Sequence, residues 1–356
     1  MVNSGWRCSK TMMEVYPYKI ETWFAINNDR PFTLLLSAGF EDRGKAAVLC
    51  FGSKAGQLAS HAIILDYQDL EANEPNRSEI INIAQKHFPT MEILTSTDLE
   101  KVIASCVKRQ QIGETILVDI SSMSRVLIFK LFNALMAADI HFNIVYTEAE
   151  HYYPDKQFYD KLKSAYNMDK MGLLDKYHEL EETEVIYSYD SYVEFPKEFK
   201  GRPEPGRSSV LIAFLTYKRS RLQAILRAFE FSNRILIVPE PVRQDLSWRK
   251  ELVELINFDL IMNRPAEKKT LLTLDPFLVC KELESYLDNA VLSKSNIYLA
   301  PLGSKMQTVG SFLFWKRHPE ISVTFSQPKR YFKEKFSEKW RDTFLIMYDR
   351  LREAIE

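Results

Sequence analysis

The sequence predicts an α/β protein: two tandem doubly wound parallel-sheet domains, with a helical insert between them and a helix at the C-terminal end. Three observations predict it. Short, continuously apolar runs alternate with segments of helical period, and that alternation stops and then starts again. A Pro/Gly-rich stretch, KEFKGRPEPGR, separates the two series. The 356 residues exceed the roughly 250–300 at which a single core usually splits.

In the first series TLLLSAG (33–39) reads as a buried strand, and EDRGKAAVLCFGSKAG follows with helical period. HAIILDY (61–67) is the second strand and NRSEIINIAQKHF its helix. MEIL (91–94), a helix over 98–109, TILVDIS (115–121), a helix over 124–138 and FNIVYT (142–147) complete five strands. Runs such as AIIL and ILVDI are apolar throughout, as strands covered on both faces must be. Residues 155–207 break the pattern with two charged helices (156–163 and 168–182), an aromatic stretch in which Tyr187, Tyr189 and Tyr192 alternate as an edge strand, and the linker.

The second series runs through SVLIAFL (209–215), RILIVPE (234–240), FDLIM (258–262), NIYLAPL (296–302) and ISVTFS (321–326), with helices between them. A charged helix over 336–355, with Trp340, Phe344, Leu345, Met347, Tyr348 and Leu351 on one side, closes the chain. The boundaries are therefore 1–154, which includes an N-terminal extension, 155–207, 208–332 and 333–356. Setting Arg125 against Lys305 lays VDISSMSRVLIFKLFNALM over YLAPLGSKMQTVGSFLFWK without a gap. VYTEAEHYY then falls over TFSQPKRYF, which reads as an internal duplication.

Composition excludes several chemistries. With 47 basic and 48 acidic residues the net charge is −1, so no global field draws the chain onto long nucleic acid or an anionic membrane. Only 11 glycines occur, and neither G-x-G-x-x-G nor a P-loop can be written from them. Four scattered cysteines (Cys8, Cys50, Cys106, Cys280) and six scattered histidines lack metal or redox spacing, which suits a cytosolic protein without metal or cofactor. No apolar run approaches the length of a membrane span, and the N-terminus does not read as a signal peptide.

In open α/β sheets ligands bind at the carboxyl ends of the strands, beside helix N-termini. The loops so selected are Ser37-Ala38-Gly39-Phe40-Glu41-Asp42-Arg43 and Asp119-Ile120-Ser121-Ser122-Met123-Ser124-Arg125 in the first series. In the second they are Thr216-Tyr217-Lys218-Arg219 and Pro301-Leu302-Gly303-Ser304-Lys305-Met306-Gln307. Read from chemistry alone, the second loop is open: Ser121 or Ser122 caps a helix and Asp119 pairs with Arg125, or hydroxyl and guanidinium together hold an anion. Glu41, Asp42 and Arg43 are likewise open between helix-start roles and contacts to a phosphate, base or ribose. His151-Tyr152-Tyr153 and Arg330-Tyr331-Phe332 are open between base stacking and domain packing.

Asp119-x-Ser121-x-x-x-Arg125 resembles the [DN]-x-[ST]-x-x-x-[RK] signature of CARF domains, the Rossmann-like ligand sensors of CRISPR and other antiviral systems. The tandem arrangement resembles SAVED domains, which fuse two CARF-like units in one chain. The resemblance covers 32–153 and 209–332 in architecture and one motif in residues. The second copy has Leu299 and Pro301 in place of Asp119 and Ser121 and keeps only the basic position, Lys305. The resemblance implies binding of a cyclic oligonucleotide between the two halves, and with the strand-end loops it makes Ser37, Glu41, Arg43, Asp119, Ser121, Ser122, Arg125, Lys218, Ser304 and Lys305 the candidate ligand-binding residues. It implies a sensor that acts through a partner effector protein or by oligomerisation. The alternatives are a metal-independent ring nuclease using Ser121, Ser304 and Lys305, and a ligand-free scaffold subunit.

Overall fold

The computed structural model describes residues 23–24, 27, 30–67, 74–181, 191–263, 265–288, 294–328 and 336–356. The N-terminal extension before Trp23, Cys8, Tyr187, Tyr189 and Arg330–Phe332 lie outside them. The chain divides into two compact units. One comprises residues 1–123, 133–151 and 337–348, the other 124–132, 152–336 and 349–356.

In the first unit β1 (Phe32–Ser37), β2 (His61–Asp66), β3 (Thr90–Thr95), β4 (Thr115–Asp119) and β5 (Phe142–Thr147) pair in parallel in the order β3-β2-β1-β4-β5. Four helices connect them: Gly44–Ala55, Glu74–His87, Leu99–Gln111 and Arg125–Ala137. The fold is therefore the doubly wound α/β class that the alternation predicts. Its central strands are fully buried, as their unbroken apolar character requires. A cluster of Trp23, Phe32, Phe51 and Phe88 with Leu34, Leu36, Ile64 and Val145 fills one face.

Two-residue strands β6 (His151–Tyr152) and β14 (Ser337–Glu338), together with β7 (Ser191–Glu194), lie outside the large sheets. In the second unit β8 (Ser209–Phe214), β9 (Asn233–Glu240), β10 (Glu267–Leu272), β11 (Asn296–Ala300) and β12 (Ser322–Val323) pair in parallel in the order β10-β9-β8-β11-β12. This is the strand order of the first sheet. After Thr324 the chain leaves the sheet, and β13 (Phe325–Pro328) pairs antiparallel with β7. Phe325 meets Phe129 and Phe199, and Phe129 also meets Phe312, at ring separations of 5.3–6.4 Å. The expected insert packs within this unit: Phe158, Leu162, Leu173 and Tyr177 form a core with Leu252, Leu255 and Ile256.

The structure corrects two element assignments. FDLIM (258–262) is a short helix, Phe258–Met262, and the third strand of the second sheet is EKKTLL (267–272). An edge strand is exposed along one side and tolerates charge, so it lacks the apolar run of a buried strand. The long C-terminal helix is also absent: Thr343–Ile346 forms β15, antiparallel to β5, and only Tyr348–Glu353 is helical. Helical spacing of the apolar residues cannot distinguish a stripe on a helix from TFLI adding to a sheet edge. Leu345 enters the first core and Phe344 stacks on Tyr146.

Candidate functional site

In the order β3-β2-β1-β4-β5 the direction of winding reverses between β1 and β4, so the loops after these strands flank the crevice where such sheets bind ligands. In the first unit those loops are in contact. A Cβ on Gly39 would lie 2.8 Å from the Ser122 carbonyl oxygen, so only glycine permits this approach. Ser122 Oγ donates to the Ser37 carbonyl at 2.8 Å. Its single proton being spent there, the 3.0 Å contact with Ser37 Oγ has Ser37 as donor.

Asp119 is wholly buried, and its Oδ1 accepts from the Ser121 N–H at 3.0 Å and from the Ser121 hydroxyl. Ser121 Oγ in turn accepts from the Thr147 N–H at 2.8 Å. The hydroxyl of the motif is thus engaged as donor and acceptor, tying the end of β4 to the end of β5. Neither Ser121 nor Ser122 caps the following helix. Ser124 does, accepting from the Leu127 N–H at 3.2 Å.

Glu41 and Arg43 are buried as an ion pair at 2.8 Å. Arg43 also donates to the Tyr146 hydroxyl at 3.0 Å and lies 5.4 Å over its ring, while Glu41 accepts from Ser337 Oγ at 2.6 Å. Of the ten predicted residues, Ser37, Glu41, Arg43, Asp119, Ser121 and Ser122 fall in the first unit and are held in these internal networks.

Arg125, Lys218, Ser304 and Lys305 fall in the second unit. Arg125 Nε and Nη2 both donate to the Gly303 carbonyl, at 2.8 and 2.6 Å. That carbonyl directly precedes Ser304 and Lys305, so the structure brings both basic residues of the aligned motifs to the start of helix Lys305–Arg317. Ser304 is its N-cap in a capping box: Ser304 Oγ accepts from the Gln307 N–H at 3.0 Å, and Gln307 Oε1 accepts from the Ser304 N–H at 3.0 Å. The first turn of this helix carries no acidic residue. Lys218, in the loop after β8, is buried with its Nζ 3.5 Å from the centre of the Phe336 ring.

In the aromatic cluster after β5, Tyr153 packs and His151 is exposed. Tyr153 donates to Glu181 and meets Phe158 and Tyr217, and burial pushes its hydroxyl well above the usual tyrosine range. Arg249, which sequence reasoning did not single out, fastens this turn by donating to the carbonyls of Tyr152, Tyr153 and Pro154. Burial pushes the Cys106 and Cys280 thiols up to about 12, so neither is a ready nucleophile at neutral pH. Among the described residues, no three His, Cys, Asp or Glu side chains gather where they could hold a metal ion, and no helix is long and apolar enough to cross a membrane.

No protein-family model matches this chain, and no curated protein matches it. Three solved structures align with it at low identity. A Type III CRISPR defence DNA nuclease activated by cyclic oligoadenylate aligns with 80% of this chain and 64% of its own, at 8% identity and a TM-score of 0.49. The cytoplasmic domain of a prokaryotic cation chloride cotransporter aligns with 84% of this chain and 96% of its own, at 8% identity and a TM-score of 0.23. A multidomain structure of a keto acid-selecting NRPS module aligns with 86% and 20%, at 9% identity and a TM-score of 0.22. The chain thus spans 64% of the length of the nuclease. At such identities the site rests on this chain's own side chains.

Proposed function

We propose that this protein is a non-catalytic sensor of a cyclic oligonucleotide in prokaryotic antiviral defence, its two sheets being copies of one ancestral unit. The observation that carries the reading is the placement of Arg125 on the Gly303 carbonyl, beside Lys305 at the start of a helix whose first turn carries no acidic residue. Two cations and the positive end of a helix dipole attract a phosphodiester. The CARF-like position of Asp119-x-Ser121-x-x-x-Arg125, at the end of a fourth strand beside the switch point, supports the nucleotide class. The shared strand order of the two sheets supports duplication.

Binding is favoured over cleavage by the hydroxyls. Ser121 is engaged by Asp119 and Thr147, and Ser304 by Thr273 and Gln307, so neither stands ready to align a ribose 2′-OH. The signal then passes to a partner effector protein or through oligomerisation. The test is thermal unfolding with a panel of cyclic di-, tri- and tetranucleotides, with chromatography of the nucleotide afterwards. One member should raise Tm and be recovered intact, and Arg125→Ala with Lys305→Ala should abolish the rise while the protein stays folded. A retained rise in the double variant would remove the site from this loop; turnover would make the protein a ring nuclease.

A further inference from the structure

Arg221 lies in the first turn of helix Ser220–Ala228 and is only 7% exposed. Among the described residues no hydrogen bond or ion pair reaches its side chain, and its Nε is buried without an acceptor. Its neighbour Arg219 differs, holding Asp259 at 2.8 Å. In the first unit the loop arginine, Arg43, likewise has a carboxylate of its own. A guanidinium whose Nε–H is buried without an acceptor is costly unless something else supplies one.

Two further polar atoms are buried without partners on the elements packed against this helix, the hydroxyls of Ser191 and Ser326. Ser326 stands opposite Val193 in the β7–β13 ribbon, and Ser191 is two residues from Val193, so all three share one face. Val193 packs in the cluster that contains Leu222 and Ile225, which makes this the face turned to the helix. The helix start has no acidic residue in its first turn and no side-chain cap.

We propose that Arg221, Ser191 and Ser326 form a binding site for a phosphate group between helix Ser220–Ala228 and the β7–β13 ribbon. A planar fork and two hydroxyls, lying on different elements, call for an anion with more than two acceptor oxygens, which a tetrahedral phosphate provides and a carboxylate does not. The site uses none of the residues assigned to the cyclic oligonucleotide and does not depend on that assignment.

The experiment is thermal unfolding in chloride and in inorganic phosphate at matched ionic strength. Tenfold excess of phosphate over its Kd should raise the Tm of the wild-type protein by about 2–4 °C. Arg221→Met should lose the rise, yet in chloride it should melt no lower than wild type, because the guanidinium it removes has no protein partner. Ser326→Ala should keep the chloride Tm and lose part of the rise, and the Arg125→Ala, Lys305→Ala variant should keep all of it. AMP raising Tm more than phosphate at equal concentration would identify a nucleotide phosphate as the ligand, and an equal rise the free anion. No rise in wild type, an equal rise in Arg221→Met, or a marked loss of stability of that variant in chloride would overturn the site.

Discussion

Ser121 shows how a residue selected for binding chemistry can be held by the fold. Its position at a strand end was legible in the sequence, because the apolar run TILVD ends one residue before Ile120. Its engagement by Asp119 and Thr147 was not, because Thr147 arrives from a strand 26 residues further on. His61 makes the same point at the other end of the sheet. It is 1% exposed, with Nδ1 2.7 Å from Thr90 Oγ1 and Nε2 3.2 Å from Glu92. Burial, then the nearby Arg109, lowers its pKa from 6.5 to about 4, Glu92 acting in the opposite sense. The unfolded chain takes up this proton near pH 6.5 and the folded chain only near pH 4. The contribution is therefore present above pH 6.5 and is lost as pH falls through that window, by at most ~3 kcal/mol. Denaturant unfolding at pH 7.5 and 4.5 should show this loss in the wild type, and His61→Gln should reduce the difference between the two pH values; an unchanged difference would contradict the assignment.

At the level of elements, helix Lys305–Arg317 lies against helix Pro276–Leu287. The approach depends on Gly310, where a Cβ would collide with the Pro276 carbonyl oxygen and come within 2.6 Å of Val279 Cβ. Gly310→Ala should therefore cost about 1–3 kcal/mol through overpacking, although alanine is the better helix former, and the fall in Tm measures it. A neutral or stabilising effect would mean that the helices separate easily. The sequence displayed this helix through the period of VGSFLFWKR after the strand NIYLAPL. It concealed β10 and β15. β10 is a charged edge, and β15 is four residues whose strand character exists only because β5 offers an unpaired edge.

Across the whole molecule, order along the chain and membership in a unit part company. Segment 337–348 follows the second sheet in sequence but belongs to the first unit, while 124–132 follows β4 but groups with the second. Leu345→Asp should consequently deprotect amides of β1, β4 and β5 in native-state hydrogen exchange while those of β8, β9 and β11 keep their protection, because Leu345 packs among Phe32, Leu117 and Val145. Equal deprotection in both sheets would mean that the two units open together. The sequence by itself determined that the chain is a twice-repeated α/β alternation, that its central strands are buried on both faces, and which strand-end loops carry hydroxyls and cations. Those are local properties, set by apolar period, caps and turn residues. Only the tertiary structure decided that Arg125 reaches the Gly303 carbonyl, that Glu41 neutralises Arg43, that Arg221 Nε is buried without a partner among the described residues, and that the C-terminal segment completes the first sheet. Each of these depends on residues distant in the chain becoming neighbours, and the balance of a buried charge is set by such neighbours, not by the residues beside it in sequence.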